Sequence, residues 1–340
     1  MRATSLPAAG LSLTQTRIAA LALLIPVCIV VCVLCALPGE ATIDWSRLFD
    51  SQANFVLWRL RVPRILLGAA AGAGLAVGGV IFQILFRNPL ATPYTLGIDS
   101  GAALGAAVGY LLGWRGSVLG MPVIMIGSLL GASAAVALVF LSARLRGGRD
   151  MTHLLLAGIC IAYLCSAGIM LINYLAGQAV TNDIVRWMMG SLAILRPTAS
   201  AEIGLLLIPV LAFACWAHRG YDLLALGDDL AAARGAPVKL LVWGSFVLVA
   251  GLTAMIVSSC GPIGFVSLMV PHICGMLVGR QSLFLIVGSA GLGAAFLCLC
   301  DTVARLPAYE IPVGVLTNIL GAAFFFYLLA TRGSERTTSA

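Results

Sequence analysis

Three arginines, Arg61, Arg64 and Arg305, and one polar stretch, Tyr221 to Pro237, carry the residue types suited to contact with other molecules. An arginine fork holds a carboxylate through two parallel N–H donors, so arginines at the mouths of apolar runs suit an acidic partner protein. Snorkelling of arginine at helix ends explains the same positions. Composition leaves both readings open. In the polar stretch, Asp228 and Asp229 precede Ala231 to Ala233, which suits a short helix with acids at its positive end. Gly235 and Pro237 would stop that helix. An ordinary connector is one reading; a helix that docks into a separate protein is the other. The stretch is soluble in character between minimally connected apolar runs, which favours docking.

Other chemistry lacks its residues. Asp99, Glu202 and Asp301 fall near the predicted ends of apolar runs, and no run has a charge at its middle. Proton- and sodium-coupled carriers need such groups despite an insertion cost of about 2.5–3.5 kcal/mol. His153 and His272 stand apart from acids and from each other, so neither forms a metal site or a nucleophile–base pair. All ten cysteines (Cys28, Cys32, Cys35, Cys160, Cys165, Cys215, Cys260, Cys274, Cys298 and Cys300) lie in or beside apolar runs, where cysteine behaves as a small hydrophobe. Cys28, Cys32 and Cys35 share a helical face, but with no histidine or acid beside them packing is favoured over a metal. A phosphate-binding loop needs a lysine after its glycines, and the one lysine, Lys239, follows Ala-Pro-Val. An intramembrane enzyme and a nucleotide-hydrolysing chain are both disfavoured. Any nucleotide energy must come from a separate subunit.

These residues sit in a chain of 340 that is 61% hydrophobic and 10% charged, with a mean hydropathy of +1.06. Soluble domains carry about a quarter charged residues. A span needs about 20 apolar residues, which leaves room for about ten. The fold class expected is all-α integral membrane, one polytopic domain over residues 1–340. The runs are 18–37, 65–86, 94–112, 118–141, 152–175, 201–217, 240–259, 261–278 (broken by Pro262, Gly264 and Pro271), 282–300 and 311–330. Residues 1–16 and 331–340 are expected as tails and 218–239 as a loop. The first run has only Arg17 close before it and no evident small-x-small cleavage site, so it is expected to remain as a helix. Gly97, Gly101, Gly105, Gly109 and Gly113 stand four apart and predict a close packing seam. Residues 177–196, with Asp183, Arg186 and Trp187, predict an interfacial connection. With both termini in the cytoplasm, twelve basic residues fall inside and eight outside, a modest fit to the positive-inside rule.

Three motifs carry a resemblance. The first is R-V-P-R (Arg61 to Arg64), followed by Gly78, Gln83 and R-N-P-L-A-T-P (Arg87 to Pro93), then Leu96-Gly97 and Ser100-Gly101-Ala102. The second is G-P-I-G-F-V (Gly261 to Val266) with Pro271-His272. The third is D-T-V-A-R (Asp301 to Arg305) with E-I-P-V-G-V (Glu310 to Val315) and Gly321. In this order, over nearly the whole chain, the sequence resembles the FecCD/BtuC-type permeases. These are the membrane subunits of type II ABC importers for ferric siderophores, haem and cobalamin. The resemblance implies a BtuC-like permease of about ten transmembrane helices in a bacterial inner membrane, working as a homodimer or close pseudo-homodimer. Two ATP-binding subunits would carry the ATP and Mg, so this chain needs no cofactor, and no nucleic acid is implied. A periplasmic substrate-binding protein would dock on Arg61, Arg64 and Arg305. The residues matching the ATPase-coupling loop are Leu224, Leu226, Gly227, Asp228, Asp229, Arg234 and Gly235. The family's structural positions map to Gln83, Asn88, Pro89, Gly97, Gly261, Pro262, Pro271, His272, Glu310, Pro312 and Gly314.

An iron chelate of ferric-siderophore type is the substrate expected, with cobalamin and haem as alternatives. An ion-coupled secondary transporter is the rival class. The fifth run, Leu154 to Leu175, does not identify a ligand. Ser267, Cys274, Gln281-Ser282 and Ala322-Ala323 depart from residues usual in the family, and the sequence gives them no role.

Overall fold

In the computed structural model, the residues described are 13–38, 55–118, 120–145, 151–193, 196, 198–307 and 309–337. The polar loop 39–54 and most of the arginine-rich loop after Leu145 lie outside them. The helices are α1 (Leu13–Leu34), α2 (Val62–Leu85), α3 (Ile98–Leu111), α4 (Val123–Leu145), α5 (Met151–Leu175), α6 (Gln178–Met188), α7 (Ala199–Leu224), α8 (Asp228–Ala233), α9 (Val238–Cys260), α10 (Val266–Val278), α11 (Ser282–Ala304) and α12 (Val313–Thr337). A π-helical turn, Leu57–Arg61, feeds α2, and a 3-10 turn, Pro93–Leu96, precedes α3. A two-residue hairpin, Ser117–Val118 with Met121–Pro122, joins α3 to α4.

Eight described helices are long and apolar enough to cross a membrane. Two further runs are helical in part only: 94–112, expected as a full helix, and 261–278, expected to be broken by Pro262, Gly264 and Pro271. At 1.5 Å per residue, α3 and α10 span about 20 Å, short of a hydrocarbon core of about 30 Å. Each is preceded by chain that is not α-helical, the 3-10 turn Pro93–Leu96 before α3 and the stretch Gly261 to Phe265 before α10. Non-helical backbone is tolerated at such depth only inside protein. These lead-in segments meet that condition by facing each other, with the Ile263 N–H donating to the Tyr94 hydroxyl at 3.3 Å.

The core is built on α2, whose small residues admit its neighbours. A Cβ at Gly72 would strike the Gly293 carbonyl of α11, and one at Gly79 the Ser267 carbonyl of α10. Below them Phe82, Phe86, Phe140, Trp243 and Phe246 form an aromatic cluster joining α2, α4 and α9.

The expected glycine seam divides into two kinds of position. Gly101 and Gly105 face Gly131 and Gly127 of α4 at backbone contact, and Gly109 meets Ile124 and Trp114. Gly97 and Gly113 lie outside the helix, with φ of +73° and +66°, and make the turns at its two ends. Three expected boundaries also move. Helix α1 begins at Leu13, α12 runs to Thr337, and α7 continues through Leu224. The loop expected over 218–239 is therefore only Ala225 to Pro237, with α8 inside it.

Candidate functional site

The three arginines come together at one end of the bundle. Arg64, in the first turn of α2, points Nε at both carboxylate oxygens of Asp301 (3.0 Å each) and Nη2 at Oδ1 (2.9 Å). Arg305 reaches the same carboxylate at 3.1 Å, one helical turn further along α11. Arg61 is buried and donates to the Leu37 and Ala36 carbonyls just past α1, at 2.9 and 3.4 Å. The Arg305 guanidinium also reaches the Cys35 carbonyl at 3.4 Å. Two arginines thus satisfy carbonyls that the end of α1 leaves without helical donors. The third ties α2 to α11. Glu310, 58% exposed, takes Arg64 Nη1 at 3.3 Å. Among the described residues, Asp301 thus takes both Arg64 and Arg305, and Glu310 takes the exposed side of Arg64.

Asp301 is the residue the sequence reading passed over. Its side chain is 3% exposed, and its charge is matched by two arginines. A buried carboxylate is tolerated only when paired and hydrogen-bonded in this way. The signal was present as the Asp-x-x-x-Arg spacing of D-T-V-A-R, which sets a carboxylate beside an arginine on one helix face.

The residues that match the family's coupling loop gather at the opposite end. Leu224 is buried as α7 ends, and Leu226 beyond it is 67% exposed. Gly227 has φ +131°, which lets the chain break direction before α8. Asp228 and Asp229 occupy the first turn of α8, and Gly235, φ +80°, ends the segment after Arg234. Asp229, Leu230, Arg234 and Gly235 all face outward. Asp228 pairs instead with Arg87 of the R-N-P-L-A-T-P turn. That turn is itself fixed by the Leu90 N–H donating to Asn88 Oδ1 at 2.9 Å, with Pro89 between them.

The other motif positions do packing work. Gln83 Nε2 donates to the Ser267 and Leu268 carbonyls at 3.4 Å, joining α2 to the start of α10. Gly261, φ +70°, and the Pro262 carbonyl lie against Gly190 after α6. Gly314, one residue into α12 and two past Pro312, fits where a Cβ would strike the Met189 and Pro262 carbonyls. Pro271 is buried within α10, and the His272 ring packs edge-on to Phe324 at 6.0 Å. The connection expected over 177–196 contains α6, anchored by buried Ile184, with Asn182, Asp183 and Arg186 lining a cleft. No group of three or more metal-ligating side chains occurs among the described residues.

The chain is similar to known proteins in sequence and in fold. The profile of the FecCD transport family matches residues 24–331. The hemin transport system permease protein HmuU of Yersinia pestis is 34% identical over 307 residues, covering 88% of this chain and 91% of that one. The vitamin B12 import system permease protein BtuC of Escherichia coli is 36% identical over 308 residues, covering 88% and 90%. A solved inward-facing structure, described as an ABC transporter of metal-chelate type, superposes with a TM-score of 0.83 at 30% identity. It covers 92% of this chain and 99% of its own.

Proposed function

The chain belongs to the FecCD transport family as an ABC importer permease, and from that premise we propose that it carries an iron chelate of ferric-siderophore type across a bacterial inner membrane. The observation that carries the reading is the placing of two polar surfaces at opposite ends of one apolar bundle. The cluster around Arg64, Arg305 and Asp301 is the periplasmic end, where a substrate-binding protein docks. The outward-facing residues of Ala225 to Pro237 are the cytoplasmic end, where an ATP-binding subunit docks. ATP hydrolysis belongs to that subunit, so this chain is not itself an enzyme. The working unit is a pair of permease chains with two ATP-binding subunits, each permease chain one domain with both termini in the cytoplasm.

Arg61, Arg64 and Arg305 serve docking as one pre-formed cluster rather than as empty forks, because their donors already have acceptors inside the chain. Partner carboxylates would take over from Glu310 at the exposed edge. The substrate class is supported by relatives that handle metal chelates, one a haem permease and one a structure of metal-chelate type. The vitamin B12 permease keeps cobalamin as a second reading. Uptake into proteoliposomes containing the full transporter, with a ferric hydroxamate, haem and cyanocobalamin offered in competition, tests it. Saturable, ATP-dependent entry of the ferric chelate is expected. Entry of cobalamin or haem alone would overturn the iron-siderophore assignment.

A further inference from the structure

The polar bonds at the α8 end converge on Gln281-Ser282, a pair to which the sequence assigned no role. Ser282 is the first residue of α11, and its N–H and hydroxyl both donate to Asp222 Oδ1, at 2.9 and 2.6 Å. The helix has no side-chain cap of its own, since Gln281 at the capping position is extended and makes no such bond. Gln281 instead accepts from Arg17 of α1 at 3.2 Å. The cap of α11 therefore comes from α7, from a carboxylate placed at the helix's positive end.

Asp222 lies two residues before the end of α7, just ahead of the exposed Ala225 to Pro237 segment. The preceding residue, Tyr221, is held by its hydroxyl to Ser245 of α9 at 2.6 Å. On the far side of the segment's opening, Asp228 is held by Arg87. The segment is thus fixed to the bundle at its root, and one of its fixings is the first turn of α11. From Ser282 to Asp301 that helix rises about 28 Å. Its far end carries the carboxylate that gathers Arg64 and Arg305.

We propose that the Asp222–Ser282 cap is the joint passing movement of the Ala225–Pro237 segment to α11, and so to the Arg64–Asp301–Arg305 cluster at the other face. This makes Asp222 a positioning residue for transport, and it rests on the reading of that segment as the ATPase contact. A helix pinned at both ends by partly buried polar bonds and close-packed along its length carries displacement as a rigid body.

The test uses the whole transporter in proteoliposomes, reading the ratio of binding-protein-stimulated to unstimulated ATP hydrolysis. For Asp222→Ala that ratio is expected to fall about fivefold or more, with the ATP-binding subunit still co-purifying in full amount. Asp222→Asn keeps an acceptor oxygen and is expected to restore most of the ratio. Ser282→Ala loses one of the two bonds and is expected to fall between them, which serves the test if Asp222→Ala does not fold. A ratio unchanged in Asp222→Ala, or in Ser282→Ala where that variant stands in, overturns the joint; so does an equal fall in Asp222→Asn. Failure of the underlying reading looks different: Leu226→Ser with Leu230→Ser would then leave co-purification of the ATP-binding subunit intact.

Discussion

Arg64 of α2 closes Nε and Nη2 on the Asp301 carboxylate of α11, with side chains 15% and 3% exposed. The pair fastens the two helices that cross closely at Gly72 and Gly293. Removing Asp301 leaves Arg305 without its carboxylate and Arg64 with only the exposed Glu310. Asp301→Ala is therefore expected to cost about 3–5 kcal/mol, read as a large fall in the melting temperature of the detergent-solubilised protein. A melting temperature equal to wild type would mean the carboxylate is not part of the helix clamp.

Glu310 offers a cleaner probe of docking than the arginines, because it is exposed and shares Arg64 with Asp301. Glu310→Gln frees a donor without opening the buried pair. Affinity for the substrate-binding protein is expected to rise about two- to fivefold, as befits an exposed ion pair. Surface plasmon resonance on the reconstituted transporter would show the gain at low salt and lose it at high salt. Weaker binding would argue that Glu310 is itself a docking group.

Two glycine substitutions separate packing from conformation. At Gly105 an added methyl meets the Gly127 backbone carbonyl, and neither helix can yield locally. Gly105→Ala is expected to destabilise by about 1–3 kcal/mol. At Gly204 in α7 nothing lies within 4 Å, and Gly204→Ala is expected to stabilise by up to about 1 kcal/mol through helix propensity. Chemical denaturation of the two variants should move in opposite directions; a shared direction would contradict the packing account.

Leu226 and Leu230 are the large apolar side chains exposed on the Ala225 to Pro237 segment. Changing both to serine is expected to weaken capture of the ATP-binding subunit about tenfold, the loss typical of central contact residues. Microscale thermophoresis with the purified subunit measures it. Unchanged affinity would move the ATPase contact elsewhere on the chain.

Much of this was legible in the sequence because apolar length and turn residues act locally. Asp228 and Asp229 opening a helix that Gly235 closes needed no tertiary information. The convergence of Arg61, Arg64 and Arg305 came from motif resemblance, since their positions span 245 residues of chain. What escaped were interactions made only by packing. Asp301 looked like a charge at a helix end until α2 brought Arg64 to it. Asp222 looked like part of a loop because an apolar-run reading ended the sixth span at Ala217, while the helix continues to Leu224. The shortness of α3 escaped as well, whereas Pro262 and Gly264 had marked the break before α10. The start of the 94–112 run lies in the 3-10 turn Pro93–Leu96, held against Ile263 through the Tyr94 hydroxyl, a contact made only by packing.

The most direct measurement is uptake of a radioactive ferric chelate into proteoliposomes holding this chain with and without its ATP-binding subunits. The account predicts uptake only when the subunits, internal ATP and the binding protein are all present, and its persistence when an ionophore collapses ion gradients. Uptake by the permease alone, or uptake abolished by the ionophore with ATP maintained, would contradict it.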